Sequence, residues 1–235
     1  MGFFDSYEAA IFDLDGTLID SMHLWINFCS EWLLSLNKTP GADLETDIQT
    51  MTISGSADYV NKRYGLNLST QDLIFQWEEV MIKRYLKGAV LKQGAADLVK
   101  ALAAKGYKLG IATYSLPRAC EAILFHHKIK SYFSSFTHAH EFEDRLQSKP
   151  QYKRQYNSVK TDPEFWLAAA ARLGLAPQKC VVFEDSYSSL EGAKKAGMGF
   201  VWVNDSSRGK LPLLSNASDL SIDYPGEALE YLIKS

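Results

Sequence analysis

Ala9-Ala10-Ile11-Phe12-Asp13-Leu14-Asp15-Gly16-Thr17-Leu18-Ile19-Asp20 is an apolar run that stops at two acids spaced by one residue, followed by Gly-Thr. An apolar run of about four to eight residues ended by a turn signal reads as a buried strand. Alternation along a strand sends Asp13 and Asp15 toward one side, and Gly16 lets the chain leave strand geometry. Carboxylates at the carboxyl end of such a strand lie where open α/β sheets place their ligands. Two of them so close together repel unless a cation or a shared proton intervenes. Mg²⁺ suits the place, since it takes oxygen ligands and binds through one or two carboxylates plus a phosphate. An Asp-Gly turn without chemistry is the plainer reading, and the motif alone does not separate the two. An EF-hand loop also opens on spaced acids, but its closing Glu would fall at Leu24, and an apolar strand precedes the motif.

The rest of the chain narrows the class. Its 235 residues, 46% hydrophobic and 23% charged, fit one large domain or a core with a smaller second unit. A formal charge of -3 gives no electrostatic case for nucleic acid as a partner. Cys29, Cys120 and Cys180 are an odd number without metal-ligand spacing, expected as buried small hydrophobes in a reducing compartment. No basic segment precedes a long apolar run at the start, and no window nears about 18 uninterrupted apolar residues. A cytoplasmic protein without a signal peptide or membrane span is expected, as a monomer, with a dimer the alternative.

After Asp20 the period changes. Leu24, Phe28, Trp32 and Leu36, with Trp25, Cys29 and Leu33 beside them, recur at helical spacing and predict a helix capped by Asp20 or Ser21. Further helices are expected near 43–51, 56–64 and 70–87. From Gly94 the rhythm turns to strand and helix in alternation. Helices are predicted over 95–105, 117–126, 163–173, 186–196 and 227–233, and strands over 107–113, 135–138, 179–183 and 200–203. Residues 141–160 are polar and carry Lys149, Lys153, Arg154 and Lys160 without clear periodicity. Alternating strands and helices imply a parallel sheet covered on both faces. The helical block interrupts that alternation just after the first strand and reads as an insert. The expectation is a three-layer, Rossmann-like α/β core from 1–18 and 90–235 with an inserted α-helical cap at 19–89. An insert at the ligand end of a sheet is placed to act as a lid.

Three later segments end in residues that suit a phosphate. Strand 107–113 runs into Thr113-Tyr114-Ser115, offering a hydroxyl and successive N–H groups before a helix. An N-cap for that helix explains the same residues equally well. Lys160-Thr161-Asp162-Pro163 places a cation before a helix start, where a solvated lysine is the plainer reading. Strand 179–183 ends in Glu184-Asp185-Ser186, two acids that are costly to bury unless they face metal or water. Helix capping by Asp185 or Ser186 is the competing reading.

Taken in order, these segments resemble the haloacid dehalogenase superfamily of aspartate-nucleophile phosphotransferases over nearly the full chain. Asp13-Leu14-Asp15-Gly16-Thr17 matches the first motif, Thr113 the second, Lys160 the third and Glu184-Asp185-Ser186 the fourth. The helical block looks like that family's cap, and 179–198 resembles its phosphoglucomutase and small-phosphate phosphatase branch. Two features depart from the pattern: Thr161, not proline, follows Lys160, and the loop before it is long. Lys149-Pro150 therefore competes for the motif lysine. Lys160 is preferred because Pro163, Phe165 and Trp166 follow it with the spacing of the family's helix.

The resemblance implies that Asp13 attacks phosphorus and that Asp15 serves as general acid and then general base. It implies Mg²⁺ held by Asp13, Asp185 and the Asp15 backbone carbonyl, with Glu184 a further metal ligand, direct or through a bridging group. Thr113, Tyr114, Ser115 and Lys160 are the expected phosphate contacts. An acid at position 15 speaks for phosphate esters rather than the dehalogenase and phosphonate relatives. The expected activity is Mg²⁺-dependent hydrolysis of a small phosphorylated metabolite: a sugar, polyol or nucleoside monophosphate. A sugar-phosphate mutase is the nearest alternative, and a silent binding protein on the same scaffold the next. Mutases of this kind place a histidine where Trp25 stands, ten residues beyond Asp15. Trp25 itself is expected in the cap core rather than against substrate.

Overall fold

The computed structural model describes residues 2–49, 51–143, 159–205 and 217–233. Six strands form one parallel sheet: β1 (Ala9–Phe12), β4 (Lys108–Thr113), β5 (Phe133–His138), β6 (Cys180–Glu184), β7 (Gly199–Val203) and β8 (Leu220–Ile222). Their spatial order is β5-β4-β1-β6-β7-β8. β1 is therefore central, with Phe12 in register with Ile111 on one side and Phe183 on the other. The sheet changes winding direction there, and the carboxyl ends of strands around such a point form a ligand crevice.

Alternation along β1 splits the core into two layers. Ala10 and Phe12 face a cluster with α5 (Ala95–Ala104), α6 (Pro117–His126) and the terminal α9 (Ala228–Ile233). Ala9 and Ile11 face a second cluster with α7 (Pro163–Leu173) and α8 (Tyr187–Lys195). α7 shows why these residues make a helix. Asp162 accepts the Glu164 N–H at 2.8 Å, Pro163 occupies the first turn, and Gly174 ends the helix at φ 68°.

Among the described residues, four helices lie between Asp20 and Val90: α1 (Phe28–Ser35), α2 (Leu44–Ile48), α3 (Ile53–Tyr64) and α4 (Thr70–Gly88). They enclose an aromatic cluster in which Trp77 meets Phe28 and Trp32 edge-on. Two-residue strands β2 (Ile19–Asp20) and β3 (Val90–Leu91) pair antiparallel at the root of this insert. Two buried carboxylates tie it to the sheet unit in opposite directions. Glu78 of α4 accepts the Arg118 N–H at 2.7 Å, at the start of α6, which has no side-chain cap of its own. Glu143, beyond β5, accepts the Ile53 N–H at 2.9 Å and the Ser54 hydroxyl at 3.0 Å, at the start of α3.

Several expectations are corrected. The helix predicted from Leu24 begins at Phe28, behind Asn27 in a left-handed conformation, and residues 22–24 form a 3₁₀ turn. Neither predicted cap serves it. Asp20 lies in β2, and the Ser21 hydroxyl is drawn to Asp15. α3 starts three residues earlier than predicted, at Ile53, with Thr52 accepting the Gly55 N–H. β8 and the β2–β3 pair are additions. Lys149, Lys153, Arg154 and most of the polar stretch lie outside the described residues. No described helix is long and apolar enough to cross a membrane, and all three cysteines are buried free thiols.

Candidate active site

The carboxyl ends of β1, β4 and β6 bring Asp13, Thr113, Glu184 and Asp185 together, and a 3₁₀ turn at Val159–Thr161 adds Lys160. Lys160 Nζ lies 2.5 Å from Asp13 Oδ1 and 2.8 Å from Glu184 Oε1, with all three side chains buried. The turn is seated against α8 at Gly192, where a Cβ would stand 2.0 Å from the Lys160 carbonyl oxygen. Trp166 Nε1 donates to that same oxygen at 2.8 Å.

Burial fixes the electrostatics. It pushes the Asp13 carboxyl up to about 7, against the pull of Lys160, and the charges of Glu184 and Asp15 add to the rise. Burial also works to raise Glu184, but Lys160 outweighs it, with Ser189 and Ser186 donating as well, and holds Glu184 below its ordinary value. Burial disfavours the Lys160 ammonium, and Asp13 and Glu184 more than offset it, so lysine remains charged.

Asp13, Glu184 and Asp185 each offer a carboxylate oxygen within 4.8 Å of the others. Three hard oxygen donors converging so closely fit a divalent cation of the Mg²⁺ class. Gly16 keeps this wall open. It sits at φ 86°, and a Cβ there would meet Asp185 Oδ2 at 2.6 Å.

Asp15 is held apart from that cluster. Its Oδ1 accepts the Ser21 hydroxyl at 2.6 Å, the Tyr85 hydroxyl at 2.6 Å and Trp25 Nε1 at 3.2 Å. Its Oδ2 accepts the Ser115 hydroxyl at 2.5 Å. The Ser115 N–H, an expected phosphate contact, donates to Thr113 Oγ1 at 3.0 Å. Tyr114 does face the cavity, with its ring over Lys160 Nζ at 5.5 Å from the centroid. The cavity measures about 290 Å³ and also takes in Asp13, Asp15, Thr113, Lys160, Glu184 and Asp185. Met22 and Trp25 wall it from the side of the insert. Trp25, expected in the cap core, packs against that core and also lines the cavity. Of the residues missed in the sequence, Ser21 and Tyr85 matter most.

The family model for haloacid dehalogenase-like hydrolases matches residues 7–197. The chain belongs to that family. Among curated relatives of this hydrolase, the phosphorylated carbohydrates phosphatase of Thermotoga maritima is 28% identical over 96% of this chain and 98% of its own. The fructose-1-phosphate phosphatase YqaB of Escherichia coli is 26% identical over 85% of this chain and 98% of its own. The mitochondrial (DL)-glycerol-3-phosphatase 1 of Arabidopsis thaliana is 29% identical, and the hydrolase spans 65% of its length. Solved structures share the fold. CbbY from Rhodobacter sphaeroides in complex with phosphate has a TM-score of 0.72 at 22% identity, over 97% of this chain and 99% of its own. A β-phosphoglucomutase from Clostridium difficile has a TM-score of 0.64 at 17% identity, over 97% of this chain and 98% of its own.

Proposed function

We propose that this hydrolase is a Mg²⁺-dependent phosphatase acting on a small phosphorylated metabolite: a sugar, polyol or nucleoside monophosphate. The observation that carries the reading is the pairing of two differently held carboxylates in one cavity. Asp13 lies against a buried lysine, and Asp15 is fixed by neutral donors on the opposite side. Asp13 is the nucleophile: its oxygen bonds to phosphorus as the ester oxygen leaves, giving an aspartyl-phosphate. Asp15 gives its proton to that ester oxygen, so the product leaves as an alcohol. It then takes a proton from the incoming water, which displaces Asp13 and releases inorganic phosphate. Lys160, Thr113 and the backbone at Tyr114 hold the phosphoryl oxygens.

Asp13 and Asp185, with the Asp15 backbone carbonyl and Glu184 beside them, would hold Mg²⁺. When bound, the ion supplies charge neutralisation and orientation of the phosphoryl group. The division into a core (1–18, 90–235) and a cap (19–89) belongs to the same reading, with the cap supplying Met22 and Trp25 to the substrate side of the cavity.

Water, not a second sugar hydroxyl, is the final acceptor. The position at which the resembling mutases carry a histidine holds Trp25, whose indole N–H is a donor only and is spent on Asp15. The phosphatase names of the relatives support the same choice. The test is to incubate the enzyme with Mg²⁺ and a panel of sugar, polyol and nucleoside monophosphates while following both free phosphate and isomer formation. Phosphate release from one of them is expected, and faster isomerisation than release overturns the reading.

A further inference from the structure

Three of the donors on Asp15 come from the helical insert and its root. Ser21 follows β2, Trp25 follows the 3₁₀ turn, and Tyr85 lies in the last turn of α4. All three meet the same atom, Oδ1. A carboxylate oxygen has about two lone-pair directions, so Oδ1 is fully occupied. Oδ2 takes the Ser115 hydroxyl alone among the described residues, and it retains a direction for the reacting atoms.

Tyr85 does more than add a third donor. Its side chain is completely buried, and its hydroxyl also lies 2.7 Å from the Ser115 hydroxyl. Tyr85 donates to Oδ1 and Ser115 to Oδ2, so one hydroxyl hydrogen grips each carboxylate oxygen while the two hydroxyl oxygens lie side by side. The nearby aromatic edge of Trp25, 6.3 Å from the Tyr85 ring, packs the phenol in place. Rotation of the Asp15 carboxylate would break two or more of these bonds at once. Nothing in a helical pattern requires a tyrosine at this position, where a phenylalanine would fill the same space.

We propose that Tyr85 is a positioning residue for the proton-transfer step. With Ser21 and Trp25 it pins Oδ1 of Asp15, so that Oδ2 is the oxygen that hands a proton to the leaving group. The inference rests on the phosphatase reading above. It also ties chemistry to the seating of the insert, because lifting α4 would withdraw Tyr85 from Asp15 and Ser115 together.

The leaving group separates positioning from general damage. A sugar or polyol alkoxide must be protonated as it departs, whereas the acetate released from acetyl phosphate needs no proton. kcat/KM reports the first half-reaction for both. Tyr85→Phe should lower kcat/KM at least about tenfold for the best alkyl monophosphate of the panel, a part of what a general acid contributes. For acetyl phosphate the same variant should stay within about threefold of wild type, a change of less than one rate decade. Ser21→Ala removes a second donor from Oδ1 and should show the same selective loss. It carries the test if thermal melts show that Tyr85→Phe is poorly folded. Equal losses on both substrates, or no loss on the alkyl ester, overturn the proposal. Acetyl phosphate turnover that disappears in Asp13→Asn keeps the phosphatase reading standing whatever the tyrosine variant does. If the wild type hydrolyses no member of the panel, the reading fails and takes this inference with it.

Discussion

Lys160 Nζ lies 2.5 Å from Asp13 Oδ1, joining two buried side chains that stand 147 positions apart in the chain. The ammonium offsets part of the negative charge that burial concentrates in the acid cluster, and it faces the atom proposed to attack phosphorus. Lys160→Ala should lower kcat/KM about a hundredfold or more, the scale of losing a preorganised charge contact. Lys149→Ala should stay within about threefold, less than one rate decade, if Lys160 is the lysine that faces the phosphoryl group. Phosphate release measured for both variants decides between the two lysines, and a crippled Lys149→Ala would reverse the assignment.

Chelation should stop phosphate release, and added Mg²⁺ should restore it. Binding also has a reading without turnover, because an ion that binds only the folded state stabilises it by about 2.7 kcal/mol at a hundred times its Kd. Thermal melts should therefore rise with Mg²⁺ in the wild type and much less in Asp185→Asn. Asp13→Asn should retain the fold and lose turnover, since it removes a charge with little change in volume.

Gly192 is the site of the tightest approach between α8 and the turn that carries Lys160. An alanine there gains up to about 1 kcal/mol of helix propensity. Its methyl would sit 2.0 Å from the Lys160 carbonyl oxygen and 2.8 Å from Trp166 Nε1. Overpacking of that kind costs about 1–3 kcal/mol, so the clash wins. Gly192→Ala should lower both the denaturation midpoint and kcat/KM, the second because relief of the clash moves Lys160 away from Asp13. Unchanged activity would show that the turn can shift without disturbing the lysine.

His138, buried at the end of β5, bonds the Ser115 carbonyl through Nδ1 at 2.8 Å. Burial lowers its affinity for a proton; the Ser115 carbonyl and Glu141 oppose this, while His140 and Arg172 add to it. The unfolded chain therefore takes up the proton first as pH falls below about 6.5. The stability due to a neutral His138 is present above that pH and is lost as pH falls toward the lower folded value. The difference in unfolding free energy between wild type and His138→Asn should be largest at pH 7 and above and should narrow toward pH 5. A constant or widening difference would mean that this histidine is not the titrating group.

Local chemistry was enough to find the frame. The run ending at Asp13 is a strand because its apolar residues pack on both faces of a central position, and the pattern states that directly. α7 was legible from Pro163, its helical apolar face and Gly174, since caps and periodicity act within a few residues. The sequence order of Asp13, Thr113, Lys160 and Glu184-Asp185, matched to a known family, placed each at the right end of its segment. β2, β3 and β8 escaped because two or three residues carry no measurable period; their pairing partners supply what holds them extended.

The surroundings of Asp15 were settled only in three dimensions. Periodicity placed Trp25 beside an apolar helix face and Tyr85 on one face of the helix near 70–87, and both do pack against aromatic neighbours. Burial says where a ring goes, but not where its polar atom finds a partner. The Tyr85 hydroxyl finds Asp15 across 70 residues, and Ser115 holds the other carboxylate oxygen from 100 residues away. The predicted helix start at Leu24 fails for a related reason. A side-chain bond from Ser21 to Asp15 leaves the predicted cap without its capping oxygen, and the chain turns in 3₁₀ geometry until Asn27. By itself the sequence determined which residues are buried and which carry charge at the strand ends. The tertiary structure decided which buried polar atoms meet, because that depends on contacts between segments whose separation no local pattern encodes.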